Sequence, residues 1–296
     1  MKKYGVIVLA LILLMTGCSK ESEVLRFGTM PTYAAAIYAV GIEEGFFEAA
    51  GVTLELTVFR SARDRDGAAT AGQLDGFMTD IMGAINLNSK GFPYTMTSRE
   101  LDDFGVLAGP NVDVDGLTMP KVGLSEHTII EYMTDVYLDQ PLEKIAIVAV
   151  PDRMGALLSG ELDYGVFPQP FMGIIMANGG VPVVTTMEED FYPVTVVFES
   201  EYVKAHKASV EAFYEAYART VTYMQETDYD VYKEALVTYG LATVDTVDFY
   251  RLPVDSYGLS MVNEKDYTAI MKWMIEQELL VEPIEFVEIS DQQFIE

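Results

Sequence analysis

The sequence predicts an α/β fold made of two lobes of similar construction. One stretch of the chain occurs twice: residues 64–75 (DRDGAATAGQLD) and residues 152–163 (DRMGALLSGELD) are identical at seven of twelve positions, with a constant offset of 88. In each copy a helical segment rich in small residues ends at a glycine, which favours the left-handed conformation that closes helices. A short apolar run and a new helix start follow each copy. Such an alternation of helices and apolar strands is typical of largely parallel sheets.

The first lobe begins with alternating strands and helices. Strands are expected where apolar and β-branched residues form short runs, and helices where apolar residues recur three or four positions apart. The expected elements are a strand at 25–27, a helix at 34–49, a strand at 53–59, a helix at 79–89 and a strand near 94–97. The segment that follows, 99–118, has mixed composition with several glycines, so we place the crossing to the second lobe there.

The second lobe repeats this construction. Its expected elements are a strand at 121–124, a helix at 126–138, strands at 145–150 and 181–185, and a return crossing at 190–197. The chain is mainly helical from residue 201 onward. Its aromatic side chains there, including Trp273, recur on one helix face, which predicts core packing rather than a ligand cage. The predicted division is 24–107 with 191–296 as the first lobe and 108–190 as the second.

The N-terminal segment has the features of a secretory signal. Residues 1–17 combine two lysines with an apolar run that is too short to cross a bilayer permanently, and small residues precede Cys18. The sequence MTGC at 15–18 resembles the lipobox of bacterial lipoproteins, which implies that Cys18 is acylated and that residues 18–23 form a polar tether. The alternative is an ordinary signal peptide with an incidental cysteine. Cys18 is the only cysteine, so we expect no disulfide.

The charge and the motif content exclude several classes of function. A formal net charge of −27 argues against nucleic acid as a partner, because nucleic-acid binding depends on lysine and arginine that neutralise phosphates. The same charge disfavours a strongly anionic ligand. The chain contains two histidines and lacks a nucleophile elbow, a zinc-protease motif and a phosphate loop. We therefore expect no catalytic residues, no metal and no cofactor.

Five motifs along the chain carry a family resemblance. They are TMPTYAAAIYAVGIEEGFFEAAGV at 29–52, AGQLDGFMTD at 71–80, VGLSEHTIIEYMTD at 122–135, LLSGELDYGVFPQP at 157–170 and KWMIEQELL at 272–280. In this order they resemble the solute-binding proteins of ABC importers, in the branch that binds alkanesulfonates, nitrate and thiamine precursors. The resemblance implies a two-lobed periplasmic-binding-protein fold of type II, in which each lobe is a mainly parallel sheet flanked by helices and the ligand cleft lies between the lobes.

The resemblance also implies a place in the cell and a set of partners. We expect a monomer in the cell envelope, anchored by its N-terminal lipid on the outer side of the cytoplasmic membrane or located in the periplasm. Its expected partners are a small-molecule ligand and the transmembrane subunits of an ABC permease, to which it delivers that ligand.

The candidate ligand-binding residues lie where strands are expected to end. In open α/β sheets, ligands bind beyond the carboxyl ends of the strands, where the following helices present free N–H groups. Thr79, Asp80 and Ser125 are expected to contact the ligand or to cap helices. Tyr33 and Phe167 are expected to stack on a flat ligand or to pack in the core. The full set of candidates is Thr32, Tyr33, Ser61, Thr79, Asp80, Ser125, His127, Phe167 and Gln169.

Some residues of the motifs have a weaker connection to a ligand. His127 stands where the family run usually has Asn, and Gln169 replaces the usual Glu, so both positions depart from the family pattern. Asp75 and Asp163, which end the two copies of the repeat, are expected at the starts of strands and away from the cleft. We therefore predict a structural role for these two aspartates, as hydrogen-bond acceptors in a turn or at a helix end.

Three alternatives remain open for the function. Asp80 and Glu126 lie beside the expected cleft, and the preferred ligand is therefore a neutral or cationic nitrogen-containing organic molecule, such as a heterocycle related to thiamine precursors. The second alternative is a binder of sulfonate or nitrate, for which helix N-termini, Arg60 and Arg63 offer donors. The third is an enzyme on the same fold, similar to the synthase of the thiamine pyrimidine, which the scarcity of cysteine and histidine disfavours.

Overall fold

The computed structural model describes residues 23–100, 102–251 and 258–295. Within these ranges the strands are β1 (Glu23–Thr29), β2 (Val52–Val58), β3 (Gly76–Asp80), β4 (Tyr94–Glu100), β5 (Phe104–Ala108), β6 (Lys121–Leu124), β7 (Glu143–Ala146), β8 (Tyr164–Pro168), β9 (Val181–Thr185), β10 (Val194–Glu199) and β11 (Leu259–Ser260). The helices are α1 (Ala35–Glu43), α2 (Phe46–Ala50), α3 (Ala62–Thr70), α4 (Ile81–Ser89), α5 (Ile129–Tyr137), α6 (Val150–Ser159), α7 (Phe171–Ala177), α8 (Ser200–Ala205), α9 (Lys207–Glu226), α10 (Tyr229–Thr238) and α11 (Glu264–Glu276). The predicted signal segment, Cys18 and nearly all of the tether lie outside the described residues, and Glu23 is already the first residue of β1.

The first sheet has the strand order β11-β4-β10-β3-β1-β2. Strand β1 pairs in parallel with β2 and β3, while β10 pairs antiparallel with both β3 and β4. Strands β1 to β4 therefore run in one direction, and β10 is inserted among them in the opposite direction. The prediction that Val194–Val197 belongs to the return crossing is wrong, because these residues are buried in the middle of the sheet as part of β10.

The second sheet has the order β7-β6-β8-β5-β9. Strands β6, β7 and β8 are parallel, and β5 runs antiparallel between β8 and β9. All five residues of β5 are buried, although the sequence analysis predicts no strand in this glycine-containing segment. The chain therefore enters the second sheet at Phe104, before the predicted lobe boundary at residue 107. The division into 24–107 with 191–296 and 108–190 stays a prediction.

Two crossovers connect the sheets, one between β4 and β5 and the other between β9 and β10. Asp103 in the first crossover accepts hydrogen bonds at Oδ1 from the Thr186 hydroxyl (2.9 Å) and from the Met187 N–H (3.1 Å) in the second. A single carboxylate therefore joins the two crossovers.

Three predicted elements have different bounds in the structure. The helix expected at 34–49 is divided into α1 and α2, because Gly45 adopts a left-handed conformation with φ of 71°. The helix expected from residue 126 begins only at Ile129, after Thr128, whose hydroxyl caps it by accepting from the Ile130 N–H (3.2 Å). The strand expected at 145–150 ends earlier, at Ala146, and α6 begins within the predicted strand.

The two aspartates at the ends of the repeat anchor neighbouring strands. Asp75 Oδ2 accepts from the Arg26 N–H of β1 (2.9 Å), and Asp163 Oδ2 accepts from the Lys121 N–H of β6 (2.8 Å). Each carboxylate thus holds the start of its own strand to the neighbouring strand. The predicted structural role of this pair is confirmed by the structure, with a strand rather than a helix end as the partner.

The late helices belong to the core. Tyr38, Phe213 and Tyr217 are buried where α1 packs against α9. Trp273 on α11 packs edge-on against Tyr132 of α5, with ring centroids 5.7 Å apart. This packing confirms that the aromatic residues of the late helices fill the interior. In the part of the chain that is described, none of the helices has both the length and the apolar character needed to cross a bilayer.

Candidate functional site

A cavity of about 60 Å³ lies between the two sheets. Its wall is built from the carboxyl ends of strands in both lobes and from the residues that follow them. The first sheet contributes Thr32 after β1 and Met78–Asp80 at the end of β3, and the second contributes Ser125 after β6 and Pro168 at the end of β8. This is the position expected for a ligand site in sheets of this kind.

The end of β3 brings two polar side chains to the cavity. Asp80 is 8% exposed and caps α4, because its Oδ1 accepts from the Gly83 N–H at 2.8 Å. Thr79 is 2% exposed, and among the described residues its hydroxyl has no hydrogen-bond partner. Burial raises the pKa of Asp80, although the nearby Arg65 and the N–H of Gly83 act in the opposite direction. The cavity therefore contains a carboxyl group and a hydroxyl group that can both bind a ligand.

Arg65 is the basic residue of the first lobe at the cavity. It is 2% exposed, and its Nε and Nη2 donate to Asp66 Oδ1 at 2.9 and 2.8 Å. Its guanidinium lies 5.5 Å from the centre of the Phe77 ring. A side-chain carbon at Gly83 would lie 2.4 Å from Thr79 Oγ1 and 3.4 Å from Arg65 Nη2, so the glycine leaves these polar groups room to converge. Asp66 compensates the charge of Arg65.

Arg153 is its counterpart in the second lobe and is 1% exposed. Its Nη1 donates to the Ile147 carbonyl at 2.8 Å, its Nε to the Val166 carbonyl at 3.3 Å, and its guanidinium lies 5.2 Å from the centre of the Phe167 ring. Over the described ranges, no carboxylate oxygen lies within 4.0 Å of Arg153. Burial lowers the pKa of Arg153 to about 10. Arg153 therefore places a buried positive charge without a carboxylate partner at the wall of the cavity, which is a costly arrangement.

Arg65 and Arg153 occupy equivalent positions in the two copies of the repeat. Each is the fourth residue of its helix, α3 or α6, and both line the same cavity. The sequence analysis does not propose either arginine as a site residue, although both side chains line the cavity. The signal that points to them is the repetition itself, since each arginine recurs in a segment otherwise rich in small and apolar residues.

Four of the predicted site residues line this cavity, namely Thr32, Thr79, Asp80 and Ser125. Three others have structural contacts instead. Ser61 caps α3 by accepting from the Asp64 N–H (3.1 Å), Gln169 Oε1 accepts from the Gly173 N–H (3.3 Å), and Phe167 is fully buried beneath Arg153. None of these three is among the residues that line the cavity, and a ligand contact for them stays a prediction.

The remaining candidates lie near the cavity without lining it. Tyr33 packs edge-on against Tyr250, and burial raises the pKa of its hydroxyl to about 12. His127 is in an outer part of the cleft, in a left-handed conformation with φ of 59°, and its carbonyl accepts from Asn86 Nδ2 of the first lobe at 3.2 Å. The side chain of Arg60, proposed as a donor for an anion, is 72% exposed.

Two further expectations from the sequence concern Arg63 and metal binding. Arg63 lines the outer part of the cleft together with His127 and Glu126, rather than the inner cavity. Across the described ranges, no cluster of three or more His, Cys, Asp or Glu side chains is arranged to hold a metal ion.

Comparison with known proteins gives a family and a fold. Residues 19–236 match the NMT1-like family. Curated protein sequences give no match. Among solved structures, the chain is similar to the ligand-binding component of an ABC-type import system from Staphylococcus aureus, with 15% identity, a TM-score of 0.75, and coverage of 92% of this chain and 98% of that one.

Two other solved structures are similar. One is the periplasmic aliphatic sulphonate binding protein SsuA from Escherichia coli, with 12% identity, a TM-score of 0.72, and coverage of 90% of this chain and 97% of that one. The other is the periplasmic nitrate-binding protein NrtA from Synechocystis PCC 6803, with 14% identity, a TM-score of 0.59, and coverage of 80% of this chain and 69% of that one. These likenesses confirm the predicted two-lobed periplasmic-binding-protein fold.

Proposed function

The chain belongs to the NMT1-like family, and from that premise we propose that it is the solute-binding protein of an ABC importer, which captures a small organic solute and delivers it to the permease. The fold supports this proposal, because the structures it resembles include the ligand-binding component of an import system and periplasmic binding proteins for sulphonate and nitrate. The cavity between the two sheets is the capture site in this proposal.

The ligand proposal depends on one observation, the buried guanidinium of Arg153. No carboxylate among the described residues compensates its charge, and it faces the cavity. A carboxylate, sulfonate or nitrate-like group would supply the missing counter-charge, and an arginine fork matches the geometry of such groups. We therefore favour a solute with an anionic group, which was the second alternative from the sequence.

The heterocycle related to thiamine precursors has weaker support. A neutral or purely cationic heterocycle would leave Arg153 without a counter-charge. Tyr33 and Phe167, the rings expected to stack on a flat ligand, do not line the cavity, and Phe104 is the one aromatic residue among its described lining. An enzymatic role on the same fold is also less well supported, since the similar structures are named as binding proteins.

The protein acts, in this proposal, as a lipid-anchored monomer in the cell envelope. The support is the signal-like segment and the lipobox-like MTGC, which end at Cys18 outside the described residues. Replacing Cys18 by Ser is expected to release the protein from membranes, as measured by fractionation and immunoblotting. Continued membrane association of the variant would mean that another tether exists.

Calorimetric titration of the full chain, purified in detergent, tests the ligand proposal. The panel consists of short-chain carboxylates, sulfonates, nitrate, aminopyrimidines and amines. We expect binding of compounds that contain an anionic group, and we expect Arg153→Met to weaken it by about 100-fold or more. Because Met also removes an uncompensated buried charge, the ligand-free variant is expected to be as stable as the wild type or more stable. Binding of aminopyrimidines alone, or unchanged anion affinity in the variant, would refute the proposal.

A further inference from the structure

Two opposite charges line the cavity without an ion-pair partner. Arg153 belongs to the second lobe and Asp80 to the first. Over the described part of the chain, no Lys or Arg nitrogen lies within 4.0 Å of the Asp80 carboxyl group; Arg65 of the same lobe lies close enough to favour the charged form of Asp80, but forms its salt bridge with Asp66. Arg153 and Asp80 therefore line the same cavity from different lobes.

The backbone does not use up the carboxyl group of Asp80. Its Oδ1 accepts from the Gly83 N–H at 2.8 Å as a helix cap, and the Met82 N–H also favours the charged form of the group. A carboxylate has acceptor capacity on both oxygens, so the group retains room for a further donor. A purely anionic ligand would have to lie beside this carboxylate, which is unfavourable at low exposure.

Three charged side chains line the cavity, namely Arg65, Asp80 and Arg153. Arg65 has an ion pair with Asp66, whereas Arg153 and Asp80 each have a charged group without a salt bridge. A ligand that pairs with both Arg153 and Asp80 must have two ends of opposite charge. The strong negative charge of the whole chain acts in the same direction, because it disfavours a net anion.

We propose that the solute is a small zwitterion, whose ammonium-type group donates to Asp80 and whose acid group accepts from Arg153, with the hydroxyl of Thr79 as an additional partner. This inference rests on the proposed capture function. A cavity of 60 Å³ holds about four to six water-sized groups, which corresponds to a short amino carboxylate or amino sulfonate. The ligand joins the lobes electrostatically, since each end is held by a different lobe.

The test compares zwitterions with matched anions that have a methyl group in place of the ammonium group. The pairs are 3-aminopropanoate with butanoate and 2-aminoethanesulfonate with propanesulfonate, titrated calorimetrically into the full chain in detergent. We expect the zwitterion of at least one pair to bind at least tenfold more tightly than its matched anion.

Three variants assign this preference to its cause. Asp80→Asn keeps an acceptor for the Gly83 N–H but removes the charge, so it is expected to bring the ratio of the two affinities close to one while the fold is retained. Arg153→Gln is expected to weaken both members of a pair. Asp152→Asn removes a carboxylate that is 69% exposed and does not line the cavity, and it is expected to leave the ratio unchanged.

The outcomes separate the two proposals. Equal affinity for the zwitterion and its matched anion in the wild type, or a preference that survives Asp80→Asn, would overturn the zwitterion inference and leave the anion-binding function intact. Failure of every anionic and zwitterionic compound to bind would overturn both.

Discussion

Glu100, the last residue of β4, is expected to make the stability of the protein depend on pH near neutrality. Its side chain is fully buried, Tyr38 donates to Oε1, and Oε2 has no partner among the described residues. Burial raises the pKa of Glu100 to about 7 from an ordinary value of 4.5, although hydrogen bonds from tyrosine hydroxyls act in the opposite direction. The folded protein therefore holds a proton on Glu100 that the unfolded chain releases at lower pH.

The sign and the size of the effect follow from this difference. The contribution of Glu100 to stability is fully present below about pH 4.5 and is lost as the pH rises through about 7, since ionisation then favours the unfolded chain. A pKa of about 7 against 4.5 corresponds to about 3 kcal/mol of unfolding free energy. Glu100→Gln resembles the protonated side chain and cannot ionise. The free energy of unfolding of the variant minus that of the wild type is therefore expected to increase by about 3 kcal/mol from pH 4.5 to pH 8.

Urea denaturation followed by the fluorescence of Trp273, the single tryptophan, measures this difference at each pH. Other titrating groups contribute to both proteins and largely cancel in the subtraction. Glu215→Gln is a suitable control, because Glu215 lies on the exposed side of α9. A difference between Glu100→Gln and the wild type that stays constant within about 0.5 kcal/mol over this range would refute the reasoning.

Two further predictions concern local structure. Ser61→Ala removes the cap on the Asp64 N–H and is expected to lower the free energy of unfolding by about 1 kcal/mol, while ligand affinity in calorimetry stays within about twofold; a large loss of affinity would show that Ser61 contacts the ligand. Gly160 ends α6 with φ of 80°, so Gly160→Ala is expected to lower the free energy of unfolding by about 1 kcal/mol, measured by thermal or urea unfolding. Gly155 lies inside the same helix, and nothing lies within 4 Å of the methyl group that alanine would add. Gly155→Ala is therefore expected to raise the free energy of unfolding by about 0.5–1 kcal/mol. Equal effects of the two glycine substitutions would contradict the conformational argument.

Much of the fold was predictable because each strand and helix has a local signature. The repeat indicated two lobes, and Asp75 with Asp163 have equivalent hydrogen bonds to neighbouring strands in the structure. Strands β5 and β10 were not predicted, because each follows a crossover and pairs with strands distant in the sequence. A run such as Val194–Val197 has strand propensity, but the sequence does not show which sheet it joins.

Site residues could be predicted where the course of the backbone alone determines where the side chain lies. Thr79 and Asp80 end a strand and precede a helix, and that junction must lie at the carboxyl edge of the sheet. Arg65 and Arg153 were missed because they lie inside helices, and their long side chains extend to the cavity from one turn away. Whether the charge of such an arginine is compensated depends on neighbours such as Asp66, and these contacts arise only in the folded chain.

The carboxylate of Asp103 constrains how the two lobes move. Because it bonds to Thr186 and Met187 of the opposite crossover, the two connections cannot slide or twist past each other without breaking those bonds. A rotation of one lobe against the other that keeps the two crossovers together would preserve these bonds, whereas it would separate Asn86 from the His127 carbonyl, which are hydrogen-bonded between the lobes in the outer part of the cleft.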